Sequence, residues 1–190
     1  MDAAVDPGTD AGTDAGIDAG VDAGTDAGID AGPAERRIFV TRTAQAANLG
    51  GLAGADAACA SEASAAGLDG EFKAWLSTVE LAAADRLVQS EAPYVLVDGS
   101  LVADDWADLT DGAIEIRINL DANGVERAGD VWTGTLPTGL SYVEQGDCDG
   151  FTNGAEGVAL CGSTQSINAA WTASQLPACS TRLRLYCIEQ

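Results

Sequence analysis

Apolar positions recur at helical spacing in one stretch of the chain and at strand spacing in several others. From Leu52 to Ala66 the residues Leu52, Ala55, Cys59, Ala63 and Ala66 share one face of an Ala-rich helix, which Gly67 closes as the C′ residue. Thr181–Ile188 alternates as a strand, with Leu183, Leu185 and Cys187 on one side. Ile38–Thr43 is short and β-prone. Phe72–Ser77 places Phe72, Ala74 and Leu76 on one side and Trp75 on the other. Tyr94–Val97 and Ser100–Ala103 flank Asp98-Gly99, a two-residue hairpin turn. Ile114, Ile116 and Ile118 alternate with Glu115, Arg117 and Asn119, which predicts a half-buried strand, and Val131–Thr135 predicts another. Residues 136–178 have little periodicity and much Gly, Ser, Thr, Asn and Asp. An irregular region of that length in a compact domain carries function or is stapled.

Before the first strand the pattern is different. Asp recurs at 2, 6, 10, 14, 18, 22, 26 and 30, and Gly at 8, 12, 16, 20, 24, 28 and 32. Period four is close to a helical turn, but each Gly costs roughly 0.8–1.0 kcal/mol against Ala, and the Asp side chains would stack as like charges. There is too little apolar surface to offset the chain entropy. The expectation is a disordered spacer over 1–32 and a folded domain over 33–190. Met1 runs straight into the repeat, with no basic segment and no apolar segment of a signal peptide.

Charge and composition narrow the chemistry. The chain has 30 Asp/Glu, 9 Lys/Arg and no His, a formal charge of −21. Eight of the acidic residues and none of the basic ones lie in the repeat, so residues 33–190 carry 22 against 9, or −13. Without His there is no Ser-His-Asp or Cys-His nucleophile pair and no imidazole ligand for zinc. The charge repels phosphate backbones and anionic lipid, so no nucleic-acid partner is expected. Attachment to a membrane is expected only through an N-terminal anchor that this chain does not show. Paired carboxylates could hydrolyse a glycoside without His, but 22 acidic residues make some pairing inevitable, so the pattern says little.

Five cysteines remain: Cys59, Cys148, Cys161, Cys179 and Cys187. None forms a CxxC pair, and counting alone leaves fifteen two-bridge arrangements open. The face pattern puts Cys59 and Cys187 toward a core and favours a bridge from the helix to the last strand. Cys148 and Cys179 stand near the two ends of the irregular region, placed to staple it. A local bridge from Cys148 to Cys161 competes with that.

The run Gly54-Ala55-Asp56 through Cys59, then Ala66-Gly67-Leu68, Gly70, Phe72 and Leu76-Ser77, resembles the opening of the collagen-derived endostatin domain. The order continues with Asp85-Arg86, Trp106, Asp111-Gly112, Val131-Trp132-x-Gly134, Cys148, Cys179 and Leu185-Tyr186-Cys187-Ile188-Glu189. Leu49-Gly50-Gly51-Leu52-Ala53-Gly54-Ala55-Asp56 is similar to a phrase of the bacterial endostatin-like surface lipoproteins. The resemblance spans about residues 38–189. It implies an α+β fold of C-type-lectin-like type, with a mixed antiparallel sheet, one main helix near the start and a long irregular loop region. It also implies the disulfides Cys59–Cys187 and Cys148–Cys179, with Cys161 unpaired or intermolecular, and export to the outer-membrane surface of the cell. The zinc-binding histidines and arginine-rich heparin face of endostatin are missing here, and so are the Glu-Pro-Asn, Gln-Pro-Asp and Trp-Asn-Asp triplets of calcium-dependent lectins.

The expected function is therefore non-enzymatic: a cell-surface adhesion module held out by an acidic spacer, whose ligand is an extracellular protein or glycan. A partner with a basic patch suits the charge. The alternatives are a carboxylate-based glycan hydrolase and a purely structural surface protein. Binding residues are expected in the irregular region, at Tyr142, Asp147, Asp149, Asn153, Asn168 and Trp171, with Trp171 the exposed aromatic and Trp75, Trp106 and Trp132 in the core. No cofactor is required. Asn119, Asp121, Asn123 and Asp130 approximate EF-hand spacing and are candidate calcium ligands, although Asp121–Gly124 also suits a hairpin turn.

Overall fold

The structure, a computed structural model, describes residues 35–190. The repeat expected to be disordered, with its boundary at residue 32, lies outside them. Seven strands form one mixed, curled sheet: β1 Arg36–Val40, β2 Phe72–Ala74, β3 Tyr94–Leu96, β4 Leu101–Ala103, β5 Asp130–Trp132, β6 Cys161–Ser163 and β7 Arg184–Glu189. The order is β4-β3-β1-β7-β5-β6, with β2 also pairing β7. The β1–β3 and β5–β7 pairs are parallel and the others antiparallel.

The last strand organises the domain. One edge of β7 pairs with β1, bringing Phe39 opposite Cys187, and the other edge is divided. β2 takes the Cys187–Glu189 end, while β5 takes Arg184 and Leu185. Past Ala74 the chain leaves β7 for the extension of β5. Trp75 N still donates to Tyr186 O, but Ser77 N donates to Thr133 O. The predicted strand 72–77 is thus extended backbone with two successive partners.

Both faces of the sheet are covered. Phe39, Phe72, Ala74, Leu76, Leu185 and Cys187 face one apolar cluster together with helix α1, Gly51–Ala65. Ile38, Val40, Trp75, Tyr186 and Ile188 face the second. Alternation along β1 and β7 therefore sorts their buried side chains between two cores, while the charged Arg36, Arg37 and Lys73 remain partly exposed. In α1 the buried residues are Ala55, Cys59 and Ala63, on the expected face. The helix ends as its sequence predicts. Gly67 takes φ +72°, its N–H donates to Ser64 O, and Leu68 N donates to Ala63 O, a paired C-terminal closure. Asp56 ties the helix to the sheet by accepting from Ala74 N at 2.9 Å and from Arg86 at 2.5 Å.

Two elements differ from expectation. Ile114–Ile118 is not a strand, because successive amides find different partners: Ile114 N donates to Ile167 O and Glu115 N to Val102 O. Ile114 and Ile118 are buried and Ile116 is exposed, so the alternation describes a loop with two anchors. Residues 136–178 also hold more order than expected, with β6, a single turn at Cys148–Phe151 and a 3-10 turn at Ala169–Trp171. The short helices α2, Ala83–Arg86, and α3, Trp106–Leu109, complete the domain. Among the described residues no helix is long and apolar enough to cross a membrane.

The disulfides are Cys59–Cys187 and Cys148–Cys179. Cys161 is free and fully buried, which removes an intermolecular bridge from its options in the folded chain. Burial, with a smaller contribution from Asp130, pushes its thiol pKa up to about 12, so thiolate is scarce at neutral pH.

Candidate functional site

Cys148, Asp149, Gly150 and Phe151 all have positive φ, between 57° and 63°. They form one left-handed helical turn, closed by Phe151 N donating to Asp147 O at 2.8 Å. A left-handed conformation costs roughly 1–2 kcal/mol per L-residue, so surrounding structure must impose it. Three restraints do so. The Cys148–Cys179 bridge holds the first residue, the Phe151 ring is buried edge-on against Trp132 at 6.1 Å, and Leu49 N donates to Phe151 O at 2.9 Å. Asp149, exposed between these anchors, is displayed by the turn. Replacing Asp149 with Gly should therefore raise stability by about 1 kcal/mol, read as a higher denaturant midpoint at unchanged slope. A fall in midpoint would show that Asp149 contributes more by its side chain than it loses in its backbone.

The turn forms one wall of an open cleft of about 370 Å³, lined by Thr78, Val79, Glu80, Asp147, Asp149 and Gly150. Thr78–Glu80 is the loop that follows the extended segment 72–77. Asp147 joins the two walls: its Oδ1 accepts from Gly150 N and its Oδ2 from Val79 N, both at 2.9 Å. The buried carboxylate of Asp147 thus links the two walls, one of which contains Glu80 and the other Asp149, both exposed. Neither of those carboxylates has a basic side chain as a salt-bridge partner among the described residues. The arrangement suits capture of a cationic group rather than an anion.

The structure places the six expected binding residues in several locations. Asp147 and Asp149 meet in the cleft, although Asp147 is buried and committed to backbone amides. Tyr142 is half-buried on the preceding stretch, where its own N–H donates to Gly134 O. Asn153 closes a turn by accepting from Ala155 N, and Asn168 caps the 3-10 turn by accepting from Ala170 N. Trp171 is not exposed. It is fully buried between Trp75, at 5.2 Å between ring centroids, and Tyr186, at 5.8 Å. Trp75 and Trp132 are fully buried, and Trp106 is partly buried at the edge of the second cluster, packed on Trp75 at 5.6 Å. Polar neighbours suggested a surface for Trp171, but Asn168 and Thr172 serve as cap and core hydrogen-bond partner instead. Thr172 Oγ1 accepts from Trp75 Nε1 at 2.7 Å.

The candidate calcium ligands are not assembled as a cation site. Asp121 is fully buried, and its Oδ2 accepts from Arg127 at 2.7 and 2.9 Å, while its Oδ1 accepts from Asn123 N and Val125 N. Burial pushes its carboxyl up, but the bonds from Arg127 and those two amides outweigh it and leave the pKa below the ordinary value. Asn119 donates to Glu126, and Asp130 accepts from Gln175. The segment is a turn locked by an arginine. Among the described residues no group of three or more His, Cys, Asp or Glu is placed to hold a metal ion.

No family model and no curated protein matches the chain.

Sequence reasoning missed Thr78, Val79 and Glu80. One signal was available: Ser77-Thr78-Val79-Glu80-Leu81 continues strand alternation past the point where the core face ends. Its apolar members, Val79 and Leu81, are exposed.

Proposed function

We propose that this chain is a binding module of C-type-lectin-like, endostatin type, displayed outside the cell and acting without catalysis. The observation that supports it most is the cleft at Thr78–Glu80 and Asp147–Gly150, where a disulfide-held left-handed turn presents an exposed carboxylate from a rigid base. Strained, stapled loops on a covered sheet suit recognition, since binding residues concentrate on loops that a scaffold positions. Two disulfides suit an oxidising compartment and hence export. The resemblance to bacterial surface lipoproteins adds an envelope anchor and an acidic spacer in front of the domain. The ligand is an extracellular protein or glycan.

Arrays of matrix proteins and glycans, probed with the full chain and with a Glu80→Gln, Asp149→Asn variant, test this. Binding that the variant loses is the expected result. Cleavage of an arrayed glycan would replace the binding module with a hydrolase, and no retention on either array would replace it with a structural protein.

A further inference from the structure

Nine large apolar side chains are exposed among the described residues, and four of them fall on two adjoining loops. These are Val79, Leu81, Leu140 and Val143, at 42%, 40%, 53% and 64% exposed. Those loops run side by side. Ser77 Oγ meets Thr135 Oγ1 at 2.8 Å, Ala84 N donates to Gly139 O at 3.0 Å, and Val79 N donates to Asp147 Oδ2 at 2.9 Å. The segment 77–84 is therefore fastened along the stretch 135–147, so the four side chains lie on adjoining loops, and Val79 also lines the cleft. Apolar side chains gathered in this way mark an interaction surface.

Charge decides what can cover it. No Lys or Arg occurs between Lys73 and Arg86, nor from Ala128 to Thr181. Glu80, Glu144 and Asp149 stand among the apolar positions and are exposed. A second copy of this acidic chain, its own Asp-rich N-terminal repeat or an anionic lipid surface would each bring like charge to the face, at a cost. The occupant that fits both features is a polypeptide segment that alternates apolar side chains with Lys or Arg.

We infer that the face formed by Val79, Leu81, Leu140 and Val143, with Glu80 and Asp149 beside it, docks a basic, apolar segment of another protein. The inference rests on the binding-module proposal and specifies the partner's chemistry.

The test uses three short synthetic peptides, titrated into the isotope-labelled full chain. One interleaves Leu with Arg, one replaces its Leu with Ser, and one replaces its Arg with Glu. The Leu/Arg peptide should bind about tenfold or more tighter than either control, shifting amides of 78–81 and 140–150, with affinity falling as salt rises. Val143→Ser, at the most exposed position, should weaken it alone, and Val79→Ser with Val143→Ser more so. Leu101→Ser, exposed on β4, should leave it unchanged. Equal binding of the Ser-containing peptide would reduce the effect to bulk charge and overturn the inference. So would no binding, shifts elsewhere, or self-association lost in Val143→Ser. If the peptides fail while array binding still depends on Glu80 and Asp149, the binding module stands and only this partner class falls.

Discussion

Replacing Cys59 and Cys187 together with alanine should destabilise the oxidised protein by about 5 kcal/mol, the largest effect expected of any pair in the domain. The two cysteines are separated by 128 positions, so their bridge restricts nearly the whole unfolded domain. It also links helix α1 to β7, the strand on which β1, β2 and β5 all pair. The Cys148–Cys179 bridge closes a shorter loop, with a separation of 31, and its removal should cost about 4 kcal/mol by the same loop-entropy argument. Denaturant unfolding of both double variants under oxidising conditions checks the order. An equal or smaller loss from the Cys59–Cys187 pair would mean that the helix–strand contact persists in the unfolded chain.

Trp171→Ala should cost about 3–5 kcal/mol, the range for truncating a buried tryptophan. This is the position that polar neighbours had marked as surface. The ring lies in a row of aromatics running from Trp106 through Trp75 to Tyr186, with adjacent centroids 5.2–5.8 Å apart. Its indole N–H is buried without a hydrogen-bond partner. Trp171→Phe should therefore be much milder, since it keeps an aromatic filler and removes an unpaired donor. Thermal and denaturant midpoints of the two variants decide it. A loss below about 1 kcal/mol for Trp171→Ala would place the ring at the surface after all.

Local signals were legible where one segment contains its own instructions. Helix α1 declared its face through Ala55, Cys59 and Ala63 and its end through Gly67, because capping and helical spacing need no distant partner. Strand β7 was legible because its alternation spans a full strand. Ile114–Ile118 misled for the converse reason: alternation predicts a strand only where one neighbour offers a matching ladder, and here Ile167 and Val102 divide the task. The helix and most of the strands followed from the pattern, while the α+β class with a mixed sheet came from the resemblance; neither gave the two parallel pairings, since topology is set by which edges meet. The disulfide pairs came from resemblance, while counting left fifteen arrangements open. For the candidate site, Asp149 was legible as a loop carboxylate. The left-handed turn was not, because three of its four residues are not glycine and tertiary restraints impose the conformation. Thr78–Glu80 became part of the cleft only when Asp147 bonded across to Val79 N.

The central claim is that the stapled loop face is a binding surface. Its most direct test is an amide-shift map of the full chain with the strongest ligand retained by the matrix-protein and glycan arrays. The shifts should cluster at 78–81 and 140–150 and vanish when Glu80→Gln and Asp149→Asn are combined. Shifts confined to helix α1 or to the β4 edge, unchanged in that variant, would contradict it.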